Sequence, residues 1–136
     1  MRVVIDTNLF ISSLLGKYTS EILNDITQKR YDLILSDKQL DEIIGVLKRP
    51  KFKKIIPYEK IEKLEILLKK VSFFVDVEGN ISDCRDPKDN FLLEMGINAR
   101  ADFIITGDED LLVLNPYKNI KIIKYSEFKE ILPLIE

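Results

Sequence analysis

Five short strand-like runs alternate with longer stretches of helical periodicity, and few folds satisfy that order. The runs are Arg2–Ile5, Tyr31–Leu35, Val71–Val75, Asp102–Ile105 and Ile120–Lys124. They are rich in β-branched and aromatic residues. The first four lack clean polar alternation, which predicts strands buried on both sheet faces. Between them, Leu40, Ile43, Ile44 and Leu47 recur at helical spacing, as do Ile61, Leu64, Leu67 and Leu68, and then Phe91, Leu92, Met95 and Ala99. Ser36 with Gln39 marks a helix start as a capping box, and Pro87 fits a first-turn position. Two helices fall between the second and third strands, broken near Pro50 to Pro57. The stretch Glu78 to Lys88 reads as a long loop. Strands alternating with helices predict βαβ units, hence an α/β fold with a parallel sheet covered on both faces. A chain of 136 residues is expected to form one domain, 1–136.

Composition narrows the chemistry. The chain has no His, which removes Ser-His-Asp and Cys-His catalysis, imidazole bases and His-ligated zinc. A single Cys, Cys84, excludes an internal disulfide and a cysteine zinc site, so a reducing compartment is expected. The longest uncharged apolar-leaning run, Thr7 to Gly16, is far short of the ~18 residues of a membrane span. No charged region followed by an apolar one opens the chain. The expectation is a cytoplasmic protein with no membrane partner.

Open parallel sheets bind ligands beyond the carboxyl ends of their strands, so the residues there carry the functional signal. The first strand ends in Asp6-Thr7-Asn8, and the second in Ser36-Asp37 with Asp41 and Glu42 in the following helix. The fourth ends in Thr106-Gly107-Asp108-Glu109-Asp110, and the helix before it opens with Asp86-Pro87-Lys88-Asp89-Asn90. Singly, Asp6 and Asp108 fit helix N-caps equally well, Asp89 fits a first-turn acid, and Glu42 fits an exposed helical face. Together they form an acidic edge. Carboxylates within ~5 Å repel by roughly 3 kcal/mol per pair at an effective dielectric near 20, so the cluster needs a cation or a proton. Oxygen-only ligands favour a hard ion, Mg²⁺ or Mn²⁺, and such ions commonly serve phosphoryl chemistry.

The motifs V-V-I-D-T-N (Val3 to Asn8), an acid after strand two, D-P-K-D-N, and I-I-T-G-D (Ile104 to Asp108) together resemble the PIN-domain nucleases. V-L-K-R-P-K-F (Val46 to Phe52) further resembles the VapC-like subgroup, described as toxin components of toxin–antitoxin pairs. The resemblance implies a three-layer α/β/α sandwich with a central parallel sheet of about five strands. It implies a Mg²⁺- or Mn²⁺-dependent ribonuclease in which Asp6, Glu42, Asp89 and Asp108 are catalytic. Asp6, Asp89 and Asp108 would bind metal, with Asn8, Thr106 and Asp110 in support. Asp86 competes with Asp89, and Asp110 with Asp108. One or two ions would orient the phosphate and activate water, leaving a 5′-phosphate without a protein nucleophile. The resemblance also implies a small antitoxin partner and a homodimer.

Charge is unevenly spread. Lys48 to Lys70 holds nine Lys or Arg and three Glu, a balance of +6, whereas Asp76 to Leu112 holds ten acids and three bases. Lys48, Arg49, Lys51, Lys53 and Lys54 around Phe52 could track an RNA backbone; solvated helix faces would read the same way. A receiver-like phosphoacceptor would need a paired acid early in the chain. An Asp-nucleophile phosphatase would need an acid where Asn8 stands. The stronger rival is a module of this fold that binds RNA or protein without cutting.

Overall fold

Successive strand residues face opposite sides of a sheet, and here both sides are apolar. In β1 (Arg2–Ile5), Val3 and Ile5 enter one buried cluster and Val4 enters another. The computed structural model describes residues 1–16 and 21–135. After β1 come α1 (Thr7–Leu14), α2 (Glu21–Thr27) and β2 (Asp32–Leu35). Next are α3 (Asp37–Leu47), α4 (Tyr58–Val71) and β3 (Phe73–Phe74), with a 3₁₀ turn at Pro50–Phe52 between the two helices. A second 3₁₀ turn, Pro87–Asp89, leads into α5 (Asn90–Ala99) and β4 (Phe103–Ile105). Then follow α6 (Glu109–Leu112), β5 (Lys121–Ile123) and α7 (Tyr125–Ile135).

The five strands pair in the order β3-β2-β1-β4-β5, all parallel. One face is covered by α1 to α4 and α7, through residues such as Phe10, Ile22, Leu47, Leu68 and Phe128. The other is covered by α5 and α6, through Leu92, Leu93, Met95 and Leu111. This is the expected three-layer α/β/α sandwich. Among the described residues, no helix is long and apolar enough to cross a membrane.

Two expectations need correction. Val71 closes α4 and Ser72 caps it, so the third strand shrinks to Phe73–Phe74. It is also not buried: at the sheet edge, Phe73 and Phe74 are 58% and 40% exposed. The capping box at Ser36 is half formed. Ser36 Oγ accepts the Gln39 amide at 3.1 Å, but the Gln39 side chain turns to the sheet and donates to Ile5 O at 2.6 Å.

α5 lies close to β4 because of Gly96. A Cβ there would meet the terminal methyls of Ile120 and Ile104 at 3.1 and 3.2 Å. Those methyls can yield, and Ala favours a helix over Gly by up to about 1 kcal/mol. Gly96→Ala should therefore shift stability by less than about 1 kcal/mol, whereas Gly96→Val should lose about 2 kcal/mol through overpacking. Paired thermal melts measure the difference; equal melts for all three chains would exclude close packing there.

Candidate active site

Leaving β1, the chain builds outward to β2 and β3, then crosses to β4 and β5 on the other side. The carboxyl ends of β1 and β4 therefore flank the crevice where strand order reverses. The ladder extends one residue past each strand: Asp6 N–H donates to Ile105 O at 2.9 Å, and Thr106 N–H to Ile123 O at 3.0 Å. Both residues are consequently fixed, and both are buried.

A run of hydrogen bonds joins them. The Thr106 hydroxyl donates to Asp6 Oδ2 at 2.7 Å and accepts the Asp108 amide at 3.0 Å. Asp6 Oδ1 accepts the Asn8 amide at 3.1 Å, and Asp108 Oδ1 accepts the Asp110 amide at 2.9 Å. Asp6 and Asp108 thus do cap α1 and α6, each with one oxygen. Capping and a place in the acidic cluster are compatible, since a carboxylate has lone pairs left for a second partner. Asn8 contributes through its main chain, a bond that any residue but Pro would supply.

Asp89 behaves differently. It immediately precedes α5 without a side-chain capping bond, and its Oδ2 is buried with no hydrogen-bond partner. Its carboxyl is pushed up to about 7, first by burial, then by its contact with the Asp108 carboxyl, and then by the charges of Asp6 and Asp86. The neighbouring acids Asp86 and Asp110 are already engaged. Asp86 accepts the Lys88 amide at 3.1 Å and lies 3.6 Å from its ammonium, while Asp110 is gripped by Arg85 at 2.9 and 3.3 Å.

Glu42 lies on the exposed side of α3. Partial desolvation and then the charge of Asp6 raise its carboxyl, against the opposing pull of Lys38, Thr7 and Lys88. Asp6, Asp89 and Asp108 are therefore brought together, with Glu42 within electrostatic reach of Asp6. Lys48, Arg49, Lys51, Lys53 and Lys54 are all exposed around the α3–α4 junction. Phe52, at their centre, is a buried anchor that is 9% exposed.

Three supporting residues lie outside the acidic motifs. Gln39 holds the end of β1 from α3, as described above. Arg85 restrains Asp110. Glu94, 3% exposed in α5, accepts the amides of Glu78, Gly79 and Asn80 and so anchors the loop that leads to Asp86. A helix apolar on nearly every side yet carrying one acid is the sequence signal for such a buried carboxylate.

The donor set suits a hard cation. Its members are carboxylate oxygens, and one of them, Asp89 Oδ2, is buried and unpartnered. Among the described residues, no three His, Cys, Asp or Glu already close around a single point. Mg²⁺ does not require such a cage, because it binds through one or two carboxylates and keeps several waters or substrate oxygens.

A family model described as PIN domain matches residues 2–110, a span that includes every acid discussed here. An uncharacterized protein of Methanocaldococcus jannaschii is 35% identical over 123 residues, covering 84% of this chain and 75% of that relative.

Proposed function

Because this chain belongs to the PIN-domain family, whose members are generally nucleases, we propose that it is a Mg²⁺- or Mn²⁺-dependent endoribonuclease cleaving single-stranded or structured RNA. The observation that carries this reading is the unpartnered buried oxygen of Asp89 beside Asp108 and Asp6. Three acids crowded at the switch point, one of them holding a proton near neutrality, form a pocket short of one positive charge.

Asp6, Asp89 and Asp108 would hold the ion. When bound, it supplies charge stabilisation at the phosphate and acidifies the attacking water, leaving a 5′-phosphate on the product. Asp6 presents its carboxylate in one orientation, fixed by Thr106 and the Asn8 amide. Asp89 would hold the ion as a carboxylate, its proton released to solvent. With no imidazole in the chain, a carboxylate is the side chain suited to accept a proton from water, and Glu42 is a stronger base for being partly desolvated. Arg85 draws Asp110 aside, leaving Asp108 as the acid that faces Asp89. The exposed bases from Lys48 to Lys54 would track the phosphate backbone.

The proposal extends to biology: a toxin of the VapC-like kind, acting in the cytoplasm, paired with a small antitoxin and assembled as a homodimer. Its support is the V-L-K-R-P-K-F motif and the acidic edge that a partner would cover. A native complex that yields no small co-purifying protein would remove the antitoxin, and a monomeric mass by light scattering would remove the homodimer.

The enzymatic core is tested by incubating mixed-sequence single-stranded RNA with the protein and Mn²⁺ or Mg²⁺. Cleavage is expected with either ion and none in EDTA. A folded protein that binds RNA but cuts nothing under any divalent ion would instead be a binding module.

A further inference from the structure

Away from the acidic pocket, the α3–α4 junction carries a feature the nuclease reading does not use. The 3₁₀ turn Pro50–Phe52 and the residues after it are anchored by Phe52 and Ile56, which are 9% and 3% exposed. Tyr58, the first residue of α4, is instead 60% exposed. Beside it lies a cleft of about 320 Å³ lined by Leu47, Lys48, Lys53, Ile56, Tyr58 and Ile61. Its floor is aliphatic, one wall is an aromatic ring, and its only charged lining residues are two lysines. Lys48 Nζ stands 5.9 Å from the Tyr58 ring centroid.

An apolar slot with an exposed aromatic ring, over which Lys48 can give way to a base, and cations at its rim complements a flat heterocycle attached to phosphates. Stacking on aromatic rings, with Lys or Arg along the backbone, is how unpaired bases are held without sequence readout. A peptide would also suit the aliphatic floor, but the surrounding +6 balance favours a polyanion. Glu42 in α3 and Lys48, which caps it, are six residues apart, about 9 Å along the axis and roughly 120° around it, so a single strand joining them would wrap the end of the helix. We propose that this cleft is a base-binding subsite, in which Tyr58 stacks one unpaired base of the RNA while Lys48 and Lys53 hold the flanking phosphates. The inference rests on the RNA reading above and adds a positioning site to it.

The test uses the full chain in EDTA, so that binding is read without cutting. A labelled single-stranded RNA of about eight nucleotides and its abasic counterpart are titrated by fluorescence anisotropy. The base-bearing strand should bind about tenfold more tightly than the abasic one. Tyr58→Ala should erase that difference, Tyr58→Phe should preserve it, and Lys48→Ala should weaken both strands and flatten the salt dependence. The chain has no Trp, so stacking should also quench tyrosine emission in the parent and not in Tyr58→Ala.

Equal affinity for the two strands overturns the subsite while leaving cleavage, measured separately with Mn²⁺, to stand. A Tyr58→Ala chain with unchanged RNA affinity but an altered mass by light scattering makes the cleft a protein interface. Failure of both strands to bind overturns the subsite, and the RNA reading falls with it if cleavage in Mn²⁺ is absent as well.

Discussion

Asp6→Asn should reduce cleavage of RNA in Mn²⁺ by at least about 10²- to 10³-fold, the loss typical when one preorganised electrostatic group leaves an active centre. The replacement has nearly the same shape, so the fold should survive. Asp6 uses one oxygen for the Asn8 amide and the other for the Thr106 hydroxyl. Asn offers only one oxygen, so one of these bonds is weakened, at a cost of about 1 kcal/mol. Against that, the substitution removes a negative charge that raises the carboxyls of both Asp89 and Glu42. Relief of that repulsion acts in the opposite direction, and the melting temperature in EDTA should stay within a few degrees of the parent. The informative contrast is with Mn²⁺ present: the parent should gain stability by mass action, and Asp6→Asn should gain much less. Cleavage that survives the substitution would mean a contaminating nuclease or a misplaced site.

The position of Asp6 and Asp108 at the strand ends was legible in the sequence for a local reason. Each follows an uninterrupted apolar strand, and in a parallel sheet the strand end is where function gathers. The layering was legible too, because Val3, Val4 and Ile5 can be buried alternately on two faces only if helices cover both. What escaped depends on contacts distant in sequence. Asp86 and Asp89 are indistinguishable as letters; Lys88 occupies one, and the approach of Asp108 leaves the other with an unpartnered oxygen. Gln39 matches a capping box, yet the end of β1 claims its side chain across 34 positions of sequence. The third strand reads as buried from its apolar run, but position at the sheet edge is a property of strand order. Among the aromatics of the basic stretch, Phe52 has lysines on either side in sequence, yet Tyr58 holds the exposed ring.

Glu94→Ala should destabilise the protein by about 3 kcal/mol, and the loss should depend on pH in a direction set by the folded structure. Glu94 is almost wholly buried and accepts three consecutive main-chain amides, those of Glu78, Gly79 at 3.0 Å and Asn80 at 2.8 Å. Gly79 takes a positive φ of 82°, which the turn around the carboxylate requires and which L side chains rarely adopt. Hydrogen bonds to a charged group contribute about 1.5–3 kcal/mol each, and part of their sum is offset by burying the charge. The bond from the Glu78 amide is the main reason that the carboxyl is held below its ordinary 4.5, while burial acts the other way. A group whose folded value is depressed stabilises the native state above its unfolded value, and loses that contribution as pH falls through the folded one. The gap between parent and Glu94→Ala should therefore be widest above about pH 5 and narrow steadily in more acidic buffer. Denaturant titrations of both chains at a series of pH values read this directly, and a pH-independent gap would mean that charge at Glu94 contributes nothing. The loop it anchors also carries Asp83, bonded to the Tyr117 hydroxyl, and Cys84, whose amide donates to Asn90 at 2.8 Å. Next comes Arg85, gripping Asp110. Releasing Glu94 frees one end of a segment whose other end restrains the acids, so cleavage should fall in Glu94→Ala although the acidic pocket itself is unaltered.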